Sequence, residues 1–431
     1  MTTAQTIAQT MAPSTDHAAS LRVDVTVVGA GLVGLAAALA CHQAGYSVAL
    51  LDSGPGQTQP QVNADANSLW NANSLWNANS QSDTSSQWDA RIYAISPNNA
   101  KWLADLGAWP LLDKARLGQI NAMQIFADGV PLSLEAEDES ADCLAYVLES
   151  RALAQALYER VSMTGMPVLF NLGCVAFDST TTTLQLADKR TIKSGLVIAA
   201  DGSQSWLRQQ LGIAVQKKSY AQLGIVANFS VELDHAQVAR QWFTSDRQDG
   251  GTILAWLPLS NKTVSIVWSV PLAYADELLA LSPTAFTKAV MQAGGQALGD
   301  MRLLSPPVAF PLSRQTCERT VQDGVVLVGD AAHQIHPMAG QGVNLGFRDV
   351  IDLLASWQTK NSYQSLADRC LLKAYTRRRK ADVLSMQLLT DGLFQVFASA
   401  NPVLNSIRKT AWQLANQGLI KKTLLALALK L

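Results

Sequence analysis

Asp330 follows a short aliphatic run (VVLV, residues 325–328) and a glycine, Gly329. Runs of that length and composition read as buried strands, and a glycine at the end lets the backbone turn sharply. An acid at such a strand end can accept hydrogen bonds from a ligand hydroxyl. Gly340 and Gly342 come next, and they allow close backbone approach just before a helix expected to begin near Val343 and Asn344. The first turn of a helix has free N–H groups and a partial positive charge, worth roughly 0.3–1 kcal/mol to a nearby anion. The stretch reads as a receptor for something flat, polar and electron-accepting.

A second chemical stretch lies some three hundred residues earlier. The run VDVTVV (residues 23–28) leads directly into Gly29-Ala30-Gly31-Leu32-Val33-Gly34, then an Ala-rich helical pattern, then a strand ending at Asp52. A lone GxGxxG says little. Placed between strand and helix, with an acid about twenty residues on, it marks a dinucleotide site. In that reading Gly29 makes the turn, Gly31 admits a pyrophosphate, Gly34 lets the helix pack on the sheet, and Asp52 accepts from ribose hydroxyls. A third strand, residues 196–199, runs into Ala200-Asp201-Gly202, another acid at a strand end. Arg91 could meet a phosphate at the edge of the site, or form a surface salt bridge.

Asp330, His333 and His336 could suggest a metal, but Pro337 and the glycines argue against a helix presenting the pair, and no fourth ligand lies near; no metal is expected. Lys+Arg 33 against Asp+Glu 34 leaves no electrostatic case for nucleic acid. Five scattered cysteines without a CxxC suit a reducing compartment, and no window is long and apolar enough for a spanning helix. A cytoplasmic protein is expected, with no secretory signal in the first twenty residues.

The elements around these motifs predict an α/β protein: a Rossmann-like domain interrupted by a β-sheet substrate domain and followed by C-terminal helices. The expected division is a disordered tail (1–21), a first cofactor-domain part (22–115), a substrate-domain segment (116–144), a second cofactor part (145–212), the substrate domain (213–317), a third cofactor part (318–357) and C-terminal helices (358–431). Period-two alternation in 223–231, 252–257 and 263–270 supports the sheet. Residues 54–87 carry a duplicated Ser-Leu-Trp-Asn-Ala-Asn and Asn/Ser/Gln-rich flanks, a composition expected of a mobile insertion. Trp70, Trp76 and Trp88 leave open that it docks on the surface or a partner. The closing LIKKTLLALALKL sets Lys421, Lys422 and Lys430 beside an apolar face, which suits core packing or contact with a membrane surface.

Together the three motifs resemble the single-component FAD-dependent aromatic hydroxylases, the group related to para-hydroxybenzoate hydroxylase. Within it the chain looks like the ubiquinone-biosynthesis hydroxylases. That closer likeness rests on Asp89-Ala90-Arg91-Ile92 with Ala94, Trp242-Phe243, Leu257-Pro258-Leu259, Val267-Trp268-Ser269, His336-Pro337, Ala339-Gly340-Gln341-Gly342, Asn344-Leu345-Gly346, and Tyr375 with Arg377 to Arg379. It covers residues 23–431 apart from the insertion.

The resemblance implies FAD as cofactor and NAD(P)H as co-substrate, with oxygen transferred through a flavin C4a-hydroperoxide to a polyprenylated phenol or benzoquinol ring. It assigns Gly29, Gly31 and Gly34 to the pyrophosphate and Asp52 to the adenosine ribose. Arg91 is placed at the flavin or its phosphates, and Asp201-Gly202 at FAD and NAD(P)H. Asp330 is assigned to the ribityl chain, and Gly340, Gly342, Val343 and Asn344 to the isoalloxazine. His336 and Pro337 are the candidates for lining the reaction face. A membrane-derived substrate implies a peripheral place at the inner membrane and a quinone-biosynthesis complex as partner. Two other readings are an FAD hydroxylase of another small aromatic and a non-catalytic FAD-binding scaffold. A flavin halogenase fits poorly, because Ala255-Trp256-Leu257-Pro258 lacks the first Trp and the Ile of WxWxIP.

Overall fold

A computed structural model of the chain describes residues 20–55, 88–127, 130–139, 141–244, 249–335 and 342–398. Its helices are α1 (Leu32–Gln43), α2 (Pro97–Asp105), α3 (Ser150–Ser162), α4 (Trp206–Gln210), α5 (Leu272–Leu279), α6 (Pro283–Ala293), α7 (Gly342–Trp357) and α8 (Arg369–Ala398). The insertion after Pro55, the segment 336–341 and the chain beyond residue 398 lie outside the described residues.

The first sheet has a parallel core in the order Val325–Leu327, Thr191–Ala199, Ser20–Val28, Val48–Leu51, Val168–Leu169. Strands covered on both faces can only be filled with apolar side chains, so they read as continuous hydrophobic runs. Residues 196–199, 48–51 and 325–327 are accordingly buried throughout. Each fully buried Val, Leu or Ile contributes roughly 1.5–3 kcal/mol relative to exposure. One face packs against α1, α3, α7 and α8; the other is covered by α4 and the hairpin of Cys174–Asp178 with Thr183–Leu186. α1 is Ala-rich because it is crowded on several sides, with residues 34–41 all buried.

The second sheet is larger and mostly antiparallel. Its order is His333–Gln334, Val308–Cys317, Val215–Val231, Thr263–Pro271, Thr252–Pro258, Val238–Thr244, Ala122–Ala127, Val130–Glu135. Alternation along its strands sends Ile225, Ala227, Phe229, Trp256, Ile266 and Trp268 into a core with α5 and α6. α6 starts where Ser282 and Pro283 predict, with the Ser282 hydroxyl accepting from the Ala285 N–H at 3.3 Å. A small sheet, Ile92–Ile95, Ala145–Glu149 and Gly118–Ile120, joins the two larger ones.

The strand 122–127 pairs in parallel with 238–244, which joins the segment 116–144 to the large sheet in line with its expected place in the substrate domain. One connection departs from the sequence expectation. His333–Gln334 leaves the cofactor side of the chain and adds to the edge of the large sheet, against Gln315 and Thr316.

Candidate active site

The chemical residues converge because of strand order. Val28, Leu51, Ala199 and Leu327 end neighbouring parallel strands, so Gly29, Asp52, Asp201 and Asp330 follow at one edge of the first sheet. Adjacent strands lie roughly 4.8 Å apart, and ligands of open parallel sheets bind outside these carboxyl ends.

Glycines set the close packing there. Gly29 has a left-handed φ of 104°, and a Cβ on it would collide with the Ala200 carbonyl and lie 2.8 Å from the Asp201 nitrogen. A Cβ on Gly34 would strike the Gly29 carbonyl oxygen. Gly346 brings α7 down on α1 and the Gly329 turn, since its Cβ would fall 2.6 Å from Val33 Cγ2 and 3.2 Å from Gly329 Cα. Gly31 is different. A Cβ there would meet nothing within 4 Å, and Gly31 caps α1 without any side-chain acceptor for the helix's first N–H groups. Open space beside an uncapped helix N-terminus is where a phosphate sits well.

The three acids differ in their partners. Asp52 accepts from the Ala30 N–H at 2.5 Å and the Gly54 N–H at 2.7 Å, which fixes the glycine turn. Each of its oxygens keeps a second lone pair for a ligand hydroxyl. Asp201 accepts from the Leu207 N–H at 3.1 Å through Oδ2, while Oδ1 is buried without a protein partner. Burial pushes the Asp201 carboxyl above its usual range. Asp330 is exposed at the end of its strand. Its crowded surroundings raise its carboxyl, with His333 and Arg91 pulling the other way.

Behind Asp330 lies a buried network. Asp349 of α7 accepts from the Gly329 N–H at 2.7 Å, from His333 Nε2 at 2.8 Å and from Arg379 Nε at 2.7 Å. Burial opposes charge on Asp349, but His333 and Arg379 outweigh it and hold the carboxyl below its usual range. Arg379 also donates to Asp352 at 3.0 Å and Asp382 at 2.6 Å. The Tyr375 hydroxyl donates to the Leu327 carbonyl at 3.3 Å. His333 is therefore committed to Asp349.

Arg91 is exposed at the crevice, with its guanidinium 5.5 Å from the centroid of Phe310 on the large sheet. Its segment is anchored by Asp89. The Asp89 carboxylate accepts from the Arg91 and Arg151 N–H groups at 3.0 Å each, and its own N–H donates to Glu149 Oε1 at 2.7 Å. Asn228 Nδ2 donates to the Asp89 carbonyl at 2.9 Å. Glu149 in turn pairs with Arg116 at 2.7 Å, and Arg116 stacks over Trp88 at 4.1 Å.

At the start of α7 the Asn344 side chain is fully engaged. Its Oδ1 accepts from the Ser96 N–H at 3.1 Å and Asn99 Nδ2 at 2.8 Å, and its Nδ2 donates to the Ala94 carbonyl at 2.7 Å. What Asn344 can offer a ligand is main chain, together with Gly342 and Val343 in the same first turn. His336, Pro337 and Gly340 lie outside the described residues. Sequence reading passed over Glu149, Asp349 and Tyr93, and it named Arg379 only as part of the resemblance, without a role. Tyr93 lies close enough to Arg91 and Asp330 to feel both charges. The Arg377 to Arg379 run was the one local signal of the buried arginine.

A crevice of this geometry belongs to proteins that hold a dinucleotide, and the comparisons name which. Residues 24–103 and 108–387 match family models described as an FAD binding domain. The 3-demethoxyubiquinol 3-hydroxylase of Escherichia coli (strain K12) is 30% identical over 414 residues, covering 95% of this chain and 98% of that protein. The ubiquinone hydroxylase UbiL of Rhodospirillum rubrum is 30% identical over 382 residues, 87% of this chain and 82% of UbiL. Among solved structures, p-nitrophenol 4-monooxygenase PnpA from Pseudomonas putida DLL-E4 superposes with a TM-score of 0.69 at 16% identity, covering 94% and 97% of the two chains. Pseudomonas aeruginosa PqsL in complex with 2-aminobenzoylacetate gives 0.67 at 18% identity, covering 87% and 95%. The last two show the shared fold. The chain belongs to the FAD-dependent ubiquinone hydroxylase family, and it is an FAD-dependent monooxygenase.

Proposed function

We propose that this chain hydroxylates the ring of a polyprenylated phenol or benzoquinol in ubiquinone biosynthesis, with FAD as cofactor and NAD(P)H as electron donor. The observation that carries the reading is the row of strand ends bearing Gly29, Gly31, Asp52, Asp201 and Asp330, in a chain colinear with a ubiquinol hydroxylase over nearly its whole length.

FAD fits what the crevice offers. The open side of Gly31 and the uncapped start of α1 suit the pyrophosphate, and Asp52 suits the adenosine ribose. Asp330 holds a ribityl hydroxyl, and Asp201-Gly202 completes the wall with its unpartnered buried oxygen. The first turn of α7, at Gly342, Val343 and Asn344, stabilises negative charge at the isoalloxazine, and Arg91 attends the flavin or its phosphates. His336 and Pro337, expected at the reaction face, and Gly340, expected at the isoalloxazine, lie outside the described residues. Bound FAD supplies the passage of electrons from NAD(P)H to oxygen and the delivery of one oxygen atom to the ring.

The large sheet supports an uncharged, apolar ring. One row across it reads Phe310, Gly224, Ser269, Ile253, Phe243, and the next reads Val308, Val226, Val267, Ala255, Gln241. Within the two rows no residue is a cation, Arg91 standing against Phe310 at one end, and the small side chains between leave room for a flat ring. In this reading the chain divides into the cofactor parts 22–115, 145–212 and 318–357 and the substrate parts 116–144 and 213–317. The substrate resides in a membrane, so a peripheral encounter with the bilayer follows, within or beside a quinone-biosynthesis complex. Among the described residues no helix is long and apolar enough to cross a membrane.

Mass-spectrometric quinone profiling of cells lacking the gene tests this. Wild type is expected to clear an under-hydroxylated prenylated intermediate, and a Gly31→Glu/Asp330→Ala variant is expected to fail. Unchanged ubiquinone on deletion overturns the pathway assignment and leaves a hydroxylase of another small aromatic. Rescue by the variant favours a scaffold that does no chemistry.

A further inference from the structure

α8 has one buried and one bare face. Leu372, Tyr375, Arg379, Val383 and Met386 face inward, whereas Arg369, Lys373, Arg377, Lys380, Leu384 and Leu388 are all exposed. The spacing of the second set, three or four residues at each step, puts it on one stripe of an α-helix. At 1.5 Å per residue the stripe runs about 28 Å.

Its character changes along its length. The first four positions are cations, and the last two are leucines with 50% and 66% of their surface exposed. Arg369, Lys373, Arg377 and Lys380 line a groove of about 930 Å³ between α8 and the turn at Asp323-Gly324, in which Asp323 is the one lining acid. None of the four cations makes an ion pair or a side-chain hydrogen bond among the described residues, although the whole chain has a net charge of -1. Four unpaired cations gathered in a near-neutral protein are a local choice, and they call for an anionic partner.

We propose that this stripe docks on an anionic lipid bilayer, with phosphate headgroups in the basic groove and Leu384 and Leu388 in the acyl boundary. The apolar continuation selects a bilayer over an acidic protein. Headgroups and acyl chains lie at successive depths, so a helix tilted with its leucine end down meets both in turn. The aliphatic stems of the lysines and arginines reach along the helix and keep their charged ends at headgroup level. The proposal leans on the hydroxylase reading only for a reason to visit a bilayer. Vesicle binding needs no substrate or turnover, so its failure and a failed quinone profile remain separate results.

The test is flotation of the full FAD-loaded chain with vesicles of phosphatidylcholine mixed with phosphatidylglycerol, against phosphatidylcholine alone, at low and high salt. Binding is expected to the anionic vesicles and to fall with salt. Lys373→Gln/Arg377→Gln should weaken it on the order of 25-fold, about fivefold for each cation removed near the surface. Leu384→Ser/Leu388→Ser should weaken it roughly tenfold, from lost apolar burial, and remove the salt-resistant part. Both variants should keep native FAD content and melting temperature. Equal binding to neutral vesicles, no binding to either, or variants that bind like wild type overturns the proposal. So does capture of an acidic protein through the same cations by a chain that ignores vesicles.

Discussion

The Asp349 carboxylate and the Arg379 guanidinium meet at 2.7 Å in the interior, and the other oxygen of Asp349 accepts from the Gly329 N–H at the same distance. One acid of α7 thus ties the turn that presents Asp330 to α8. Removing one partner of a buried ion pair costs about 3–5 kcal/mol where the other is left unpaired; Arg379 keeps Asp352 and Asp382 when Asp349 is lost, so the lower end of that range applies. Asp349→Asn is expected to lower the unfolding free energy by that order, read from the urea midpoint.

The same pair gives acid sensitivity. Because the folded carboxyl titrates below its usual 3.8, its contribution is present at neutral pH and above the unfolded value, and is lost as pH falls through the folded one. Wild type should therefore lose stability in that acid window more steeply than Asp349→Asn. Parallel curves for the two proteins would exclude Asp349 as the source.

Asp330 has the opposite sign. Its carboxyl is raised in the fold, so its contribution favours folding at low pH and turns against it as pH rises through the folded value. Asp330→Asn is expected to raise the melting temperature of the FAD-free protein at neutral pH while weakening FAD binding. A hydrogen bond to a charged group is worth about 1.5–3 kcal/mol, so FAD affinity should drop about 10–150-fold. Thermal melts with and without FAD, with a fluorescence titration, read both effects. A variant that binds FAD as tightly as wild type removes Asp330 from the cofactor site.

Gly31 and Gly34 separate cofactor binding from packing. Gly31→Ala places a methyl in open space, so the FAD-free protein should melt within about 0.5 kcal/mol of wild type while FAD binds at least tenfold more weakly. Gly34→Ala drives a methyl into the Gly29 carbonyl and should cost about 1–3 kcal/mol of stability before any cofactor is added. Equal melting temperatures for the two variants would contradict this division.

Glu149 is expected to act on the cofactor through Asp89 and Arg91. Glu149→Ala and Arg91→Ala should each weaken FAD binding, and the double variant should be little worse than the more damaging single one, with rescue by Glu149→Gln. Additive losses in an FAD titration would show that the two act independently.

Residues whose place is set by their own stretch of chain were legible in the sequence. Gly29, Gly31, Gly34, Asp52, Asp201 and Asp330 each follow a short aliphatic run, and a strand end announces itself locally. The helix start at Ser282-Pro283 was legible for the same reason. Partnerships across the chain were not. Asn344 reaches back to Ala94, Ser96 and Asn99, and Glu149 to Asp89, over separations that hydrophobic periodicity does not encode. Asn344 read as a ligand residue because a helix start is a local feature, whereas the neighbours that occupy its amide appear only once the small sheet folds against α7. Residues 199 and 327 end neighbouring strands, but only the sheet order shows it.

That sheet order has a consequence for how the protein is made. The strand beside Thr191–Ala199 that delivers Asp330 is translated long after the one that ends at Asp52. At ordinary elongation rates the delay is on the order of half a minute. For that interval the nascent chain holds a glycine turn and an unfinished parallel edge emerging from the ribosome, with nothing yet to complete the crevice. Cofactor capture is then a closing event of biogenesis, after the strand that leads to Asp330 has joined the sheet.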